Sequence, residues 1–257
     1  HIRMEREIPA ERPLKKTAFD LPAGPKFGSM VHEIFEDITF QSSNETIREI
    51  TIDKTRKYGF GEEWIVKVLV ENVSSVLNAE LKSSDGIFKL KDISDNDINK
   101  ELYFMFPVKD LVSKKLLRLR EQFVEAPHIF DKIEFERFSG YISGFIDMVF
   151  RVGEKYYIID WKTNHLGYKE EDYKKENLST AMEYNYYHLQ YFLYSEALKR
   201  FLELRLEDYS DEKNWGGVFY LFTRGIRIGS DNGIYYDNLN SELFNSFSNI
   251  FKIGEES

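Results

Sequence analysis

Cysteine is missing from this chain of 257 residues, and so is any apolar run long enough to cross a bilayer. Without cysteine the chain can form no disulfide, no thiolate zinc site and no cysteine-held iron–sulfur cluster. A membrane-spanning helix needs about 20 consecutive apolar residues, and a secretory leader needs an apolar segment near its start. Neither pattern occurs, so the sequence predicts a cytoplasmic protein without a membrane partner.

Positive charge is also in short supply. The chain carries 35 lysines and arginines against 44 aspartates and glutamates, for a formal net charge of -9. Proteins that capture nucleic acid by themselves gain affinity by neutralising phosphates, so this balance predicts weak DNA binding by the chain alone. Basic residues near 109–120 and after 223 soften that objection, although a solvated helix face is the more frequent meaning of such a run. These residues are Lys109, Lys114, Lys115, Arg118, Arg120, Arg224 and Arg227.

The remaining composition predicts one large domain. Hydrophobic residues make up 42% of the chain and aromatic residues 16%, which is enough for a sizeable core. Prolines concentrate in residues 1–26, which predicts an extended, linker-like arm before a domain at residues 27–257. The first four residues, His1 to Met4, resemble the remnant of an expression tag.

The hydrophobic pattern alternates between helical and strand periods, which predicts an α/β fold with a central mixed sheet flanked by helices. Helices are expected at about 28–39, 45–57, 61–80, 109–123 and 181–204, with a short one after 240. Strands are expected at about 101–107 and 216–223, and a hairpin at about 140–162. Residues 82–100 are predicted to be rich in loops, and residues 164–180 to form a mobile loop beside the site.

Two carboxylates lie inside the apolar runs of the predicted hairpin. Asp147 follows Gly-Phe-Ile, and Asp160 follows Tyr-Ile-Ile with Lys162 two residues further on. Strand side chains alternate between faces, so Asp160 and Lys162 are expected to project together, about 7 Å apart along the strand. By the same rule Ile146 and Met148 are expected to share a face, and Asp147 to lie across from Asp160.

Such a cluster suits a hard cation. Two neighbouring carboxylates cannot both remain ionised cheaply unless a cation lies between them, and Mg²⁺ is usually held by one or two carboxylates plus waters and phosphates. A lysine beside them can orient or help to deprotonate a water, so the pattern indicates a metal-dependent phosphodiesterase. The alternative is that both acids are ordinary strand-end residues and Lys162 is their exposed partner.

Several further segments resemble the RecB-type nuclease domains of the PD-(D/E)xK nuclease superfamily. They occur in the expected order and are spread from about residue 27 to about residue 225, which is far more specific than one D-x-K motif. Tryptophan stands at position 161 where tyrosine is common, and threonine at 163 where serine is common. The matching segments are Phe27-Gly-Ser-Met-Val-His32-Glu-Ile-Phe-Glu36, Gly144-Phe-Ile-Asp-Met-Val-Phe-Arg151, Tyr156 to Gly167, Leu189-Gln-Tyr-Phe-Leu-Tyr194 and Gly216 to Gly225.

The resemblance implies roles for individual residues. His32 would join Asp147 and Asp160 as a side-chain ligand of the metal, the backbone carbonyl of Trp161 would be a further ligand, and Lys162 would be the catalytic lysine. Gln190 and Tyr194, spaced i, i+4, would lie near the site and contact DNA or Lys162, and Glu101 would be the acid on the first core strand. Without the resemblance, His32 is more simply a packed or solvated histidine, and Gln190 and Tyr194 a half-buried helix face.

The resemblance also implies a function and partners. It implies a Mg²⁺-dependent nuclease, with Ca²⁺ or Mn²⁺ as possible substitutes, that combines exonuclease and single-strand endonuclease activity in a RecBCD-type helicase–nuclease. Such complexes act in double-strand break repair and in degradation of foreign DNA. The implied partners are single- and double-stranded DNA, a helicase domain in the same parent chain, RecC-like and RecD-like subunits and the RecA recombinase.

Two other readings stay open. One is a stand-alone nuclease of the same superfamily, and the other is a non-catalytic descendant of the fold that only docks partners. No G-x-x-x-x-G-K-[ST] motif occurs in the sequence, so any motor would belong to another part of the parent chain or to another subunit. The acidic balance fits a nuclease domain that is tethered to such a motor.

Overall fold

The computed structural model describes residues 15–111, 113–123, 138–239 and 241–251. The strands in these ranges are β1 (Leu81–Ser83), β2 (Gly86–Phe88), β3 (Ile98–Leu111), β4 (Phe138–Val152), β5 (Lys155–Lys162), β6 (Trp215–Phe222) and β7 (Ile234–Asp237). The helices are α1 (Pro25–Asp37), α2 (Asn44–Tyr58), α3 (Glu63–Asn78), α4 (Ser113–Gln122), α5 (Lys175–Tyr184), α6 (Tyr187–Glu203), α7 (Asp211–Asn214) and α8 (Ser241–Phe251).

A mixed five-stranded sheet forms the centre of the domain, with the strand order β3-β4-β5-β6-β7. Its neighbours pair antiparallel except β5 and β6, which pair parallel. The predicted hairpin joins β4 to β5 through Gly153 and Glu154, and Gly153 has a φ of 60° that suits glycine in so tight a turn. The predicted α/β architecture is confirmed.

Helices cover both faces of this sheet, and each covered face has its own hydrophobic core. Helices α1, α2 and α3 bury one set of side chains against the sheet, including Phe35, Leu69 and Trp161. Helices α4, α5, α6 and α8 bury another set on the opposite face, including Phe192 and Phe247. Because β5 and β6 are buried between the two cores, residues at their ends are held firmly on both sides.

Residues at the helix ends have side chains and backbone conformations that favour a helix start or stop at those positions. Helix α2 begins after Ser43, whose Oγ accepts a hydrogen bond from the Thr46 backbone N–H at 3.1 Å. It ends at Gly59, whose φ of 74° lies in the left-handed region that favours glycine at a helix C-terminus. Helix α1 begins at Pro25, where the missing backbone N–H is not needed for the first turn.

Residues 164–180 differ from the mobile loop that their polar composition predicted. They include a 3₁₀ turn at Glu170–Tyr173 and the start of α5, and Leu166, Tyr173 and Leu178 are buried. The predicted helix at 181–204 is therefore two helices, separated at Tyr186, whose φ is 61°. A polar exterior around a few well-spaced apolar anchors explains why hydrophobic periodicity missed α5.

The segment predicted as an arm packs on the domain over the part that is described. Ala18–Asp20 forms a 3₁₀ turn, Phe19 and Leu21 are buried, and α1 begins two residues before the predicted boundary, at Pro25. Residues 1–14 lie outside the described residues, so the linker-like character of that stretch and the domain boundary remain predictions. The prolines gave no sign that the apolar side chains of Phe19 and Leu21, which lie between them, are buried.

Arg224 does not contribute to a basic surface as its sequence position suggested. Its side chain is 1% exposed and donates to the carbonyl oxygens of Ala18 at 3.1 Å and Leu21 at 2.7 Å, and to that of Pro22. The guanidinium therefore fastens the N-terminal segment to the end of β6. On α4, by contrast, Lys114 and Arg118 are exposed, as expected for a solvated helix face. No helix in the described ranges combines the length and apolarity required to cross a membrane.

Candidate active site

The two predicted acids lie side by side just beyond the last pair of the β4–β5 ladder. In the β4–β5 ladder Met148 pairs with Ile159, so one further step in the same register sets Asp147 opposite Asp160. Asp147 Oδ2 accepts a hydrogen bond from the backbone N–H of Trp161 at 2.9 Å. The strand that carries Asp160 and Lys162 is thereby tied to the carboxylate of Asp147.

Side chains of β4 stop alternating regularly between the two faces of the sheet at Asp147, so one expectation from the sequence was wrong. Ile146 packs in the core beside α6 and α8, whereas Met148 packs in the core beside α1 and α3, although both were expected on one face. Glu101 on β3 lies opposite Asp147 and has a φ of 49°. The pairs on either side of it are Lys100–Met148 and Leu102–Ile146. The Glu101 conformation is uncommon for a residue with a side chain, and it marks the point where the β3–β4 ribbon changes the core that it faces.

Helix α1 brings His32 to Asp147. Phe35, one turn after His32, stacks on the ring of Trp161 with centroids 4.0 Å apart and planes within 9°. Gly28 lets the helix approach the end of β5, because a Cβ there would lie 3.2 Å from Thr163 Oγ1. His32 Nδ1 lies 3.4 Å from Asp147 Oδ2.

The surroundings of His32 favour its protonated form. Burial alone would lower the pKa of His32, but the hydrogen bond to Asp147 and the charges of Asp147 and Asp160 outweigh that effect and raise it. The His32 side chain is 33% exposed, and it faces a groove rather than the interior. The histidine that looked like a routine packed residue is thus in contact with a carboxylate at the end of the sheet.

Asp160 and Lys162 form a second, buried pair near the end of β5. Lys162 Nζ lies 2.5 Å from Asp160 Oδ2, and the two side chains are 10% and 2% exposed. They share a face, as strand alternation predicted. Burial raises the pKa of Asp160; the Lys162 charge works against this shift, and the Asp147 charge adds to it.

Besides Asp160, three side chains fix the position of the Lys162 ammonium. Nζ donates to Gln190 Oε1 at 3.1 Å and lies 3.9 Å from the ring centroid of Tyr187 and 5.1 Å from that of Tyr220. Gln190 Nε2 donates to the Tyr194 hydroxyl at 2.8 Å, so both residues of the predicted i, i+4 pair are at the site, half-buried on α6. The aromatic faces attract the cation and the amide fixes its direction.

Tyr220 completes this network from β6. Its hydroxyl donates to Gln190 Oε1 at 3.2 Å and to the backbone carbonyl of Tyr187 at 3.3 Å. Gln190 Oε1 therefore accepts from both Lys162 and Tyr220, which leaves only one sensible orientation of the amide. Tyr187 and Tyr220 were not identified from the sequence, since a buried tyrosine on a core strand and a tyrosine at a helix start carry no distinguishing pattern.

The backbone after Lys162 is held from β6 as well. Thr223 Oγ1 donates to the carbonyl oxygen of Lys162 at 3.3 Å, and Arg224 Nε donates to that of Thr163 at 2.9 Å. Asn72 on α3 donates to the carbonyl of Thr223 at 2.7 Å. The Thr-Arg pair that ends the matching segment at Gly225 is the sequence signal for this support.

Glu101 lies within the electrostatic reach of the site. Burial raises its pKa, and the charges of Asp147 and Glu36 raise it further. It lines the same groove as His32, Asp147 and Lys162, which has a volume of about 1350 Å³. The groove is large enough for an extended ligand, and its wall includes several tyrosines. Those tyrosines are Tyr58, Tyr168, Tyr184 and Tyr187.

The chemistry of these donors suits a hard divalent cation. Carboxylate oxygens of Asp147 and Asp160 with an imidazole and a backbone carbonyl form a plausible ligand set. Asp160 Oδ2 is buried and accepts no hydrogen bond from the described residues, since its contact with Lys162 lacks hydrogen-bond geometry. A buried carboxylate oxygen in that condition is stabilised by a cation.

The same oxygens are engaged by other groups in the structure. Asp147 Oδ2 contacts His32 and the Trp161 N–H, and Asp160 Oδ2 contacts Lys162. As the side chains stand, no three histidine or carboxylate groups within the described ranges converge on one point. Coordination of one ion by His32, Asp147 and Asp160 would therefore need small rotations of these side chains, and the ligand set remains a prediction.

A D-x-K pair at the end of one core strand and an aspartate on its antiparallel neighbour define a nuclease of the PD-(D/E)XK type. The chain matches the sequence profile of the PD-(D/E)XK nuclease superfamily over residues 5–252 and belongs to that superfamily. Among curated proteins it is similar to "RecBCD enzyme subunit RecB" of Escherichia coli K12, with 34% identity over 239 residues. It is likewise 34% identical over 219 residues to the protein of the same name from Buchnera aphidicola subsp. Schizaphis graminum.

The matched part is most of this chain and a minor part of each relative. The Escherichia coli alignment covers 91% of this chain and 20% of that protein, and the Buchnera alignment covers 85% and 18%. RecB of Mycobacterium tuberculosis shares 48% identity over 88 residues, 34% of this chain and 8% of its own length. The chain thus spans about a fifth of the length of the curated relatives that it matches, and the resemblance to RecB-type nuclease domains is confirmed.

Proposed function

We propose that the chain is a Mg²⁺-dependent DNA nuclease domain with exonuclease and single-strand endonuclease activity. The observation that carries this proposal is the joining of two pairs at one strand end. His32, Asp147 and Lys162 line the groove, and Asp160 is buried against Lys162. A buried carboxylate and ammonium beside a groove favour a catalytic domain over a non-catalytic descendant of the fold, because burying such a pair costs desolvation that apolar residues would avoid.

In this proposal the residues of the chain bind the metal, orient the attacking water and exclude bulk water. Asp147 and Asp160 would hold the metal with His32 and the Trp161 carbonyl, and the bound metal would supply Lewis acidity toward a phosphate oxygen and a water. Lys162 Nζ would orient the attacking water and take part in moving its proton. The rings of Tyr187 and Tyr220 restrict the rotation of Lys162 and keep bulk water from its ammonium.

The relatives supply the wider context of the proposal. Proteins named as subunits of the RecBCD enzyme are about five times longer than this chain, which supports a nuclease domain within a larger parent over a stand-alone nuclease. We accordingly propose a helicase domain in the parent chain, RecC-like and RecD-like subunits, single- and double-stranded DNA, and RecA recombinase as partners. The proposed setting is cytoplasmic double-strand break repair and degradation of foreign DNA.

Cleavage of circular single-stranded DNA tests the activity directly, because a circle can be opened only by an internal cut. We expect Mg²⁺-dependent opening by the wild-type chain and none with EDTA. Asp160→Asn should lower the rate by about 10³-fold or more, since it removes a metal ligand and the partner of Lys162 together. Asp237→Asn is the matched control, because Asp237 is a half-buried acid whose pKa is likewise raised by burial but is hydrogen-bonded to Tyr191 instead. Equal rates for Asp160→Asn and the wild type would contradict the proposal.

Tethering tests the proposed context. The net charge of -9 predicts weak capture of DNA by the isolated chain. Fusion to a DNA-binding module should raise the rate at low DNA concentration, because a short flexible linker provides an effective concentration near millimolar. Equal rates for the free and fused chains would instead favour a stand-alone nuclease.

A further inference from the structure

The outer half of the β3–β4 ribbon carries exposed apolar side chains on one face. Tyr103, Met105, Tyr141 and Phe145 are 53%, 58%, 67% and 52% exposed. Large apolar side chains exposed singly are ordinary, but a contiguous set is a typical mark of a binding surface. These four side chains make up a contiguous set by their register.

Cross-strand pairing arranges the set as a ladder with three rungs. Tyr103 pairs with Phe145, Met105 with Ser143 and Pro107 with Tyr141. Successive rungs are about 7 Å apart, from the rise of two strand residues. The ring centroids of Tyr103 and Phe145 are 5.2 Å apart and the ring planes are tilted by 54°, so the two rings do not stack face to face. We refer to these rungs as the aromatic ladder.

The aromatic ladder begins at the candidate active site. Tyr103 follows Glu101 by two residues on β3, and Phe145 precedes Asp147 by two residues on β4. The first rung is therefore next to the site where the ribbon changes the core that it faces. A polymer with a backbone group at Asp147 and a direction along the ribbon would pass over the rungs in turn.

We propose that the aromatic ladder binds the bases of single-stranded nucleic acid that leads to or from the metal site. The inference rests on the proposed nuclease function and names the form of substrate that the site takes. Aromatic side chains on an exposed sheet face stack bases without regard to sequence, because every base has a π-face. Bases in a duplex are stacked on one another and unavailable, so the ladder selects a single strand.

The charge balance of the domain agrees with this occupant. With a net charge of -9, the chain has little to gain from phosphate neutralisation, and stacking supplies affinity that does not depend on basic residues. Contact with bases would then carry much of the binding that the chain achieves alone. Binding through the ladder should accordingly depend on the bases far more than on the backbone.

Fluorescence anisotropy with a labelled 15-nucleotide single strand tests the proposal in EDTA, so that no cleavage occurs. We expect Tyr103→Ala and Phe145→Ala each to weaken binding by about tenfold. Phe145→Tyr should keep near wild-type affinity because it retains the ring. Leu204→Ala is the control, since Leu204 is 84% exposed and follows α6 away from the ribbon. Thermal unfolding of each variant checks that the fold is intact.

Two other ligands identify what the ladder contacts. An abasic strand of the same length keeps every phosphate and should bind weakly and equally to the wild type and the alanine variants, and so should a duplex of the same sequence. Equal losses for the abasic and the base-containing strand would overturn the proposal, as would unchanged affinity of Tyr103→Ala for the single strand or no binding by the wild type. Self-association that Tyr103→Ala abolishes, with unchanged oligonucleotide binding, would show that the occupant is a second copy.

Failure of the ladder can be separated from failure of the nuclease proposal. Hydrolysis of bis(p-nitrophenyl) phosphate with Mg²⁺ or Mn²⁺ needs the metal site but offers no base to stack. If the wild type hydrolyses this diester and Asp160→Asn does not, the nuclease function stands whatever the oligonucleotide binding shows. If neither form acts on the diester or on DNA, the nuclease function fails, and the EDTA binding data still decide whether the ladder holds bases.

Discussion

The two halves of the candidate site differ in how firmly they are held. His32 and Asp147 come from different elements, their closest atoms are 3.4 Å apart, and their side chains are 33% and 13% exposed beside the groove. Asp160 and Lys162 come from one strand, are 2.5 Å apart, and are 2% and 10% exposed. Among the described residues, the backbone N–H of Trp161 supports the first pair, and the second pair is supported by the Gln190 amide, two tyrosine rings and the Thr223 hydroxyl just after β6.

This difference in exposure assigns separate tasks to the open half, His32 and Asp147, and to the buried half, Asp160 and Lys162. Groups that exchange metal and substrate must be reachable, whereas a group that positions a proton must be rigid in a place with little water. The open half can rotate to take up a metal, whereas Lys162 keeps its contacts with Gln190 and the two tyrosine rings. Changes in metal binding should therefore follow His32, Asp147 and the Asp160 carboxylate that they share the metal with, and changes in turnover alone should follow Lys162.

The largest expected effect is a loss of turnover on changing the buried half. Lys162→Gln keeps the length and a hydrogen-bonding end but removes the charge, so metal should still bind while the cleavage rate falls by about 10²–10⁴-fold. Metal binding is measured by calorimetry and cleavage on circular single-stranded DNA. Lys199→Gln is the control, since Lys199 is likewise paired with an aspartate, Asp211, at 3.0 Å, and lies over an aromatic ring. Near wild-type cleavage by Lys162→Gln would contradict the assignment of turnover to the buried half.

A smaller effect is expected on changing the open half. His32→Gln should raise the Mg²⁺ concentration for half-maximal cleavage by about tenfold or more and leave the rate at saturating Mg²⁺ much closer to the wild type. His188→Gln serves as the control, because His188 is a half-buried histidine that contacts Tyr235 and does not line the groove. A fall in the saturating rate with unchanged Mg²⁺ dependence would reverse the tasks of the two pairs.

The pH dependence of stability should also separate the halves. Because the pKa of His32 is raised in the folded chain, its contact with Asp147 contributes stability below the ordinary pKa of 6.5, and this contribution is lost as pH rises through the raised value. We expect at most about 1 kcal/mol, given the exposure of the pair. The free energy of unfolding of the wild type minus that of His32→Gln, measured without metal, should shrink from pH 6 to pH 8. A difference that grows with pH would contradict the assignment.

The smallest expected effect concerns the support of Lys162. Tyr220→Phe keeps the ring but removes the hydroxyl that donates to Gln190, so stability should fall by about 1 kcal/mol and the saturating rate by a few fold, with unchanged Mg²⁺ dependence. Tyr191→Phe is matched to it, as another buried tyrosine with a hydroxyl on Asp237. Comparable losses of rate in both variants would mean that the Tyr220 hydroxyl acts through general stability only.

The sequence predicted the parts of the site that depend on strand order. Asp160 and Lys162 share a face because alternation within one buried strand is regular, and the Gly-Glu turn fixed the hairpin that brings Asp147 opposite. Alternation could not predict the break at Asp147, because it depends on the backbone of Glu101 on another strand. Tyr187 and Tyr220 also escaped notice, since their role comes from packing between α6 and β6.

In the fold, too, elements determined by local sequence were predicted, and features determined by residues distant in sequence were not. Long periodic segments such as α3 and β6 were found close to their observed limits, because each buries a continuous set of apolar side chains. Helix α5 and the short strand β7 were missed, since few of their residues carry a periodic signal. Phe19 is buried against the ring of Tyr173, and the carbonyl of its neighbour Ala18 accepts a hydrogen bond from Arg224, about 200 residues away in sequence, so no local pattern shows these partners.

A crystal structure of the chain with Ca²⁺ tests the central claim most directly, because Ca²⁺ is visible in electron density and takes oxygen ligands. The claim is that the open and buried halves converge on one metal. We expect one ion about 2.3–2.6 Å from a carboxylate oxygen of both Asp147 and Asp160, with Lys162 Nζ still on Gln190 but no longer on Asp160 Oδ2. An ion bound by Asp147 without Asp160, or no ion near either at millimolar Ca²⁺, would contradict the account.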